Sequence, residues 1–201
     1  MVEAAAVPLL RTVDSLRGFL IEHHRYDLTT SAPPIDVDKI AELLGIRVVE
    51  TSTFHSDSAL TDKTVGMIAL EHDSSATVWI NPAQNSYPPR RRFTLAHEIG
   101  HFCMHRRNGN VHFVDNSRTM SRSQSYWDRN ESEANTFAAD LLMPEGMIFD
   151  IGRKTIVAYK ARHDVEMMPM ETFTAQMASI FSVSNQAMAY RLRDLKIGPK
   201  K

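Results

Sequence analysis

An α+β domain built on a short antiparallel sheet, followed by a helical C-terminal region, is the fold class this sequence predicts. Three observations predict it: apolar residues recur at helical spacing towards both ends, three short β-branched runs lie in the first half, and the 201 residues are 43% hydrophobic and 23% charged. Such a composition is ordinary for a folded protein and excludes bulk disorder. The length accommodates one domain with a small appendage.

After Pro8, which a first helical turn tolerates, Leu9, Val13, Leu16 and Leu20 predict an amphipathic helix reaching about Arg25. Residues 27–34 are rich in Thr, Ser and Pro and read as a linker, so residues 1–30 form an N-terminal helix and linker. Asp36 then caps a helix whose Ile40, Leu43 and Leu44 point inward and which Gly45 stops. Residues 46–49, 65–70 and 76–80 read as strands, the last two a hairpin turning through His72-Asp73-Ser74-Ser75. The strand at 76–80 precedes the central helix, where its edge is expected to pair with an extended peptide.

Asn81-Pro82 and Pro88-Pro89 break the chain before a helix over about 90–105. A Gly-, Asn-, Ser- and Arg-rich stretch, residues 106–130, reads as a long loop, and a helix over 131–142 ends at Pro144. These elements make residues 31–146 one domain. Residues 147–201 read as further helices, of which 173–181, the turn Ser182-Val183-Ser184 and 186–195 have the form of a helix-turn-helix.

The net charge of -1 leaves no global field for nucleic acid or anionic lipid. The lone Cys103 forms no internal disulfide, and no charged-then-apolar leader opens the chain, so a cytoplasmic location is expected. No run of about 18 apolar residues suits a membrane span.

The chain carries nine histidines, and several share one segment. His97-Glu98-Ile99-Gly100-His101 is an H-E-x-x-H pattern. Imidazoles four residues apart lie about 40° apart around a helix, so both can face one Zn²⁺. Glu98 projects from the adjacent flank, within reach of water on the metal rather than of the metal, which suits a general base. Catalytic zinc takes three protein ligands. In the second helix Ala134, Phe137, Ala138, Leu141 and Leu142 define the inward face; Glu131 lies at its edge while Glu133 points largely away, so Glu131 is the better third ligand. Asn135, one turn on, is placed to accept an imidazole N–H from His97 or His101.

The run Arg92-Phe93-Thr94-Leu95-Ala96 leading into that motif, with Glu131-x-Glu133-Ala134-Asn135 and Leu141-Leu142-Met143-Pro144 downstream, resembles the ImmA/IrrE family of metallopeptidases. The resemblance is strongest over about 90–145. It implies a small gluzincin-like domain, one Zn²⁺ per chain held by His97, His101 and Glu131, and Glu98 as catalytic base. It further implies an endopeptidase whose protein substrate is a helix-turn-helix transcriptional repressor, cleaved to relieve repression.

Other residues have plainer readings. Three histidines on one straight helix span about 12 Å, so His105 packs or supports the site instead of joining the ion. His112 and Tyr126, in the long loop, are candidates to donate to the oxyanion. Cys103 falls on roughly the opposite face from His101 and reads as a small core residue. Arg90, Arg91 and Arg92 read as a solvated helix start. In the tail, Asn185 and Gln186 suit adenine edges, and Arg191, Arg193 and Lys196 suit phosphates. Asp194 and the lack of a basic run oppose this, so direct DNA binding is not expected and the tail is read as packing on the peptidase or docking its substrate. The rival readings are a DNA-binding regulator or a toxin–antitoxin-type component with a structural metal site.

Overall fold

Thr12 and Ser15 cap each other in a reciprocal box, and helix α1 (Val13–His24) starts there rather than at Pro8. The computed structural model describes residues 7–51, 61, 63–71, 75–106, 111–116, 120 and 128–198. Residues 7–10 are not helical: Leu10 N donates to Cys103 O at 2.9 Å, and the Arg106 guanidinium donates to Val7 O and Pro8 O, so tertiary hydrogen bonds take the place of a first turn. Leu16 and Leu20 are fully buried.

Helix α2 (Val37–Leu43) is capped by Asp36, whose carboxylate accepts from Lys39 N, and Gly45 leaves it at φ 72, a left-handed conformation that suits glycine. Strand β1 (Ile46–Glu50) follows, then β2 (Thr64–Leu70) and β3 (Ala76–Ile80). β2 and β3 pair antiparallel, with Ile68 opposite Val78, as the hairpin reading requires. The turn residues 72–74 lie outside the described residues.

Two expectations about the sheet are corrected. Residues 111–116 are strand β4 (Val111–Asn116), not loop, and pair antiparallel with β2, Phe113 opposite Ile68. The run Val111-His112-Phe113-Val114 has the β-branched and aromatic make-up of a strand, which the polar residues around it outweighed. The sheet, in order β1-β3-β2-β4, is mixed and not purely antiparallel, because β1 joins the far side of the hairpin parallel to β3. β3 is therefore interior, and the expected pairing of its edge with a peptide is sterically closed. Among the described residues the sheet's edges are β1 and β4.

Helix α3 (Pro88–Met104) lies on this sheet with residues 94–103 all buried. Prolines occupy its first turn, where no amide partner is lost. Helix α4 (Arg129–Leu142), capped by Asp128, packs across it. A Cβ on Gly100 would stand 3.3 Å from Ala134 Cα, so Gly100 and Ala134 together permit the close crossing that brings Glu131 over the histidines. The connector between β3 and α3 is tied down by its side chains. Asn81 Nδ2 donates to Thr64 O, Asn85 Nδ2 donates to Val65 O, and Thr94 Oγ1 donates to Asn85 Oδ1.

Helices α5 (Glu145–His163), α6 (Met170–Phe181) and α7 (Asn185–Asp194) complete the chain, giving an α+β fold with seven helices among the described residues. Phe173, Met177, Phe181, Met188 and Leu192 join α6 and α7 to the main core. No helix of the described residues is long and apolar enough to cross a membrane.

Candidate metal centre

His97 and His101 sit one turn apart on α3, Glu131 at the start of α4, and Asp115 on β4. One donor atom from each of these four buried residues lies within 4.8 Å of all the others. His97 Nε2 is 3.0 Å from His101 Nε2, 3.2 Å from Glu131 Oε2 and 3.3 Å from Asp115 Oδ2; His101 Nε2 is 3.4 Å from Glu131 Oε1. A tetrahedral ion with N and O donors at about 2.0–2.2 Å sets those donors about 3.3–3.6 Å apart, so the spacing fits a small divalent cation.

The hydrogen bonding agrees with that fit. His97 Nδ1 donates to Asn135 Oδ1 at 3.1 Å, which leaves the lone pair of the neutral ring on Nε2, facing His101. Glu131 Oε2 is buried close to His97 yet makes no hydrogen bond. Lone pairs and carboxylates converging on one point need a positive charge between them. Burial opposes the charging of His97, but Asp115 and Glu131 outweigh it and raise its pKa to about 9. Burial likewise opposes ionisation of Glu131, yet the facing rings of His101 and His97 prevail and hold its carboxyl well below the usual range. Both shifts report the negative field that a cation would meet.

Glu98, next in sequence to His97, is completely buried, and neither carboxylate oxygen has a hydrogen-bond partner. Burial, followed by the facing Asp115 and Glu131, pushes its pKa well above the ordinary value. Its oxygens occupy space that exists because β2 carries Gly66: a Cβ there would lie 2.6 Å from Glu98 Oε1. The bulge in β2 between Thr64 and Gly66 falls at the same point.

Of the residues singled out in the sequence, His97, Glu98, His101, Glu131 and Asn135 are thus brought together. His112 is exposed on β4, on the face opposite Phe113 and Asp115, and Tyr126 lies outside the described residues. Asp115 is not among the residues the sequence singles out, because the polar stretch around it reads as loop; the alternation of Phe113 and Asp115 along a β-branched run is the signal that marks it. Phe113 stacks on the His101 ring, centroids 4.2 Å apart. Cys103 is a free, buried thiol with its pKa pushed to about 12 by burial, which suits a core residue.

No curated protein matches this chain. The Peptidase_M78 family model, described as the IrrE N-terminal-like domain, matches residues 41–193. That span contains the sheet, the helices α3 and α4 that carry three of the clustered donors, the tail helix α6 and all but the last residue of α7. Over three-quarters of its length, and with a buried four-donor cluster that can hold a metal ion, the chain belongs to this metallopeptidase family of the ImmA/IrrE type.

Proposed function

We propose that the protein is a zinc-dependent endopeptidase in which His97, His101 and Glu131 hold the ion and Glu98 is the general base. The observation that carries this reading is Glu98 itself: a wholly buried carboxyl with no hydrogen-bond partner, beside a cation-binding cluster. Burying such a group costs stability, and a purely structural metal site has no use for it. Zinc held there supplies Lewis acidity toward water and the scissile carbonyl. Glu98 accepts a proton at a carboxylate oxygen and returns it to the leaving amine. Asn135 keeps His97 in the tautomer that leaves Nε2 free.

The substrate we assign is a helix-turn-helix transcriptional repressor met in the cytoplasm, on the strength of family membership. We read residues 1–30 as an accessory helix and linker, 31–146 as the catalytic domain and 147–201 as a helix-turn-helix-like appendage that serves it. The buried Arg191 supports this role for the tail: it bonds Met143 O and Asp140 and is turned away from any phosphate. Zinc-loaded protein incubated with a co-encoded repressor should give two fragments by intact mass, and Glu98→Gln should slow this about 10²–10⁴-fold. Cleavage at the wild-type rate by that variant would refute the mechanism.

One observation favours a second reading. Asp115 is a fourth protein donor, and four protein ligands close a zinc site as structural sites are closed. Such a site would belong to a regulator or a toxin–antitoxin component. Asp115→Asn separates the two: a closed site loses its metal, whereas a three-ligand site retains it.

A further inference from the structure

His105 and Glu133 belong neither to the donor cluster nor to the base, yet they stand in line behind one ligand. His101 Nδ1 is 3.0 Å from His105 Nδ1, His105 Nε2 is 3.2 Å from Glu133 Oε2, and Glu133 Oε1 accepts from Arg129 Nε at 2.7 Å. With both rings neutral, each link admits only one direction. A carboxylate only accepts, so His105 Nε2 carries a proton and donates to Glu133. In the neutral ring His105 Nδ1 is then an acceptor, and His101 Nδ1 must donate to it. That leaves the lone pair of His101 on Nε2, the atom that points into the cluster. The half-buried carboxylate of Glu133 therefore dictates the tautomer of a buried ring two links away.

Local structure makes the line possible. His105 is the residue that ends α3, with φ -113, so its ring leaves the helical path and turns back on His101. Phe113 flanks both rings, with centroids 4.2 Å from His101 and 5.7 Å from His105. Glu133, expected to point away, reaches His105 from the flank of α4 because Gly100 and Ala134 bring the two helices close.

We propose that His105 and Glu133 are positioning residues that fix and polarise His101 for metal, as Asn135 does for His97. This rests on the metal-site reading above. Partners of this kind typically change metal affinity about 10–100-fold.

The test is zinc affinity of the full chain, measured by competition with a chromophoric chelator, alongside thermal unfolding of the metal-free protein. His105→Phe keeps an aromatic ring beside Phe113 but cannot accept, and should weaken zinc binding about 10–100-fold. His105→Asn, whose amide oxygen can stand where Nδ1 stood, should recover most of the loss. Glu133→Gln should weaken binding severalfold in the wild type and add nothing in the His105→Phe background, since Glu133 acts through His105. A purely packing role would lower metal-free stability and leave these affinity ratios near one. Unchanged affinity in His105→Phe, or an equal effect of Glu133→Gln in both backgrounds, overturns the relay. If His105→Phe does not fold, unchanged affinity in the half-buried variant Glu133→Gln overturns it alone. A wild-type protein that binds no zinc refutes the metal site itself, and the relay with it.

Discussion

Gly66 on β2 faces Glu98 so closely that a Cβ at this position would lie 2.6 Å from Oε1 of the glutamate and 2.7 Å from Cγ2 of Thr94. Thr94 cannot yield, because its hydroxyl is bonded to Asn85 in the connector that is tied to β2. Glu98 must move instead. Gly66→Ala is expected to cost about 1–3 kcal/mol by overpacking and to depress proteolysis while the zinc content stays near that of the wild type. Peptidase activity equal to wild type in this variant would show that the base is not confined as described.

Asp27 supplies a pH-dependent term away from the site. It pairs bidentately with Arg17 at 2.7–2.8 Å and accepts from Thr29, and these bonds hold its carboxyl well below the usual range. A depressed carboxylate stabilises above its unfolded pKa of about 3.9 and loses that contribution as pH falls through the folded value. The pair is partly exposed, so its worth is at most about 1 kcal/mol. Thermal unfolding should therefore show Asp27→Asn less stable than wild type at pH 7, with the gap narrowing as the pH drops below about 4. A gap that widens in acid would reverse the sign of the argument.

Arg191 and Arg193 lie on the same short helix and should behave differently. Arg191 is buried, donates from Nε to Met143 O at 2.9 Å and pairs with Asp140 at 2.5 Å; Arg193 lies over the Tyr190 ring at 4.8 Å. Arg191→Ala strips a buried carbonyl of its partner and should cost about 1–3 kcal/mol in urea unfolding. Arg193→Ala, an exposed change, should fall within about 0.5 kcal/mol of wild type. Equal effects would mean that α7 is not fastened through Arg191.

What the sequence disclosed follows the range of the forces involved. Helical spacing is local, so the shared face of His97 and His101 could be read directly, and the small residues flanking Glu131 marked the inward edge of α4. Asn135 followed from the same wheel. Asp115 did not, because it reaches the cluster from a strand whose pairing with β2 leaves no trace in linear spacing. The same holds for the parallel partnership of β1 and β3 and for the start of α1, where tertiary bonds from Leu10 to Cys103 override the tolerance of Pro8 for a helical turn. Glu133 keeps the off-core angle that the wheel predicts, and its length, which the wheel does not show, carries it to His105 at the end of the neighbouring helix.

The most direct test of the metal centre is the zinc content per chain of the wild type, Glu98→Gln and Glu131→Gln, purified and dialysed in parallel. The arrangement of His97, His101 and Glu131 around one point, with Glu98 set beside it, predicts about one zinc in the wild type and in Glu98→Gln and far less in Glu131→Gln. Loss of zinc from Glu98→Gln with retention in Glu131→Gln would exchange ligand and base and contradict the assignment.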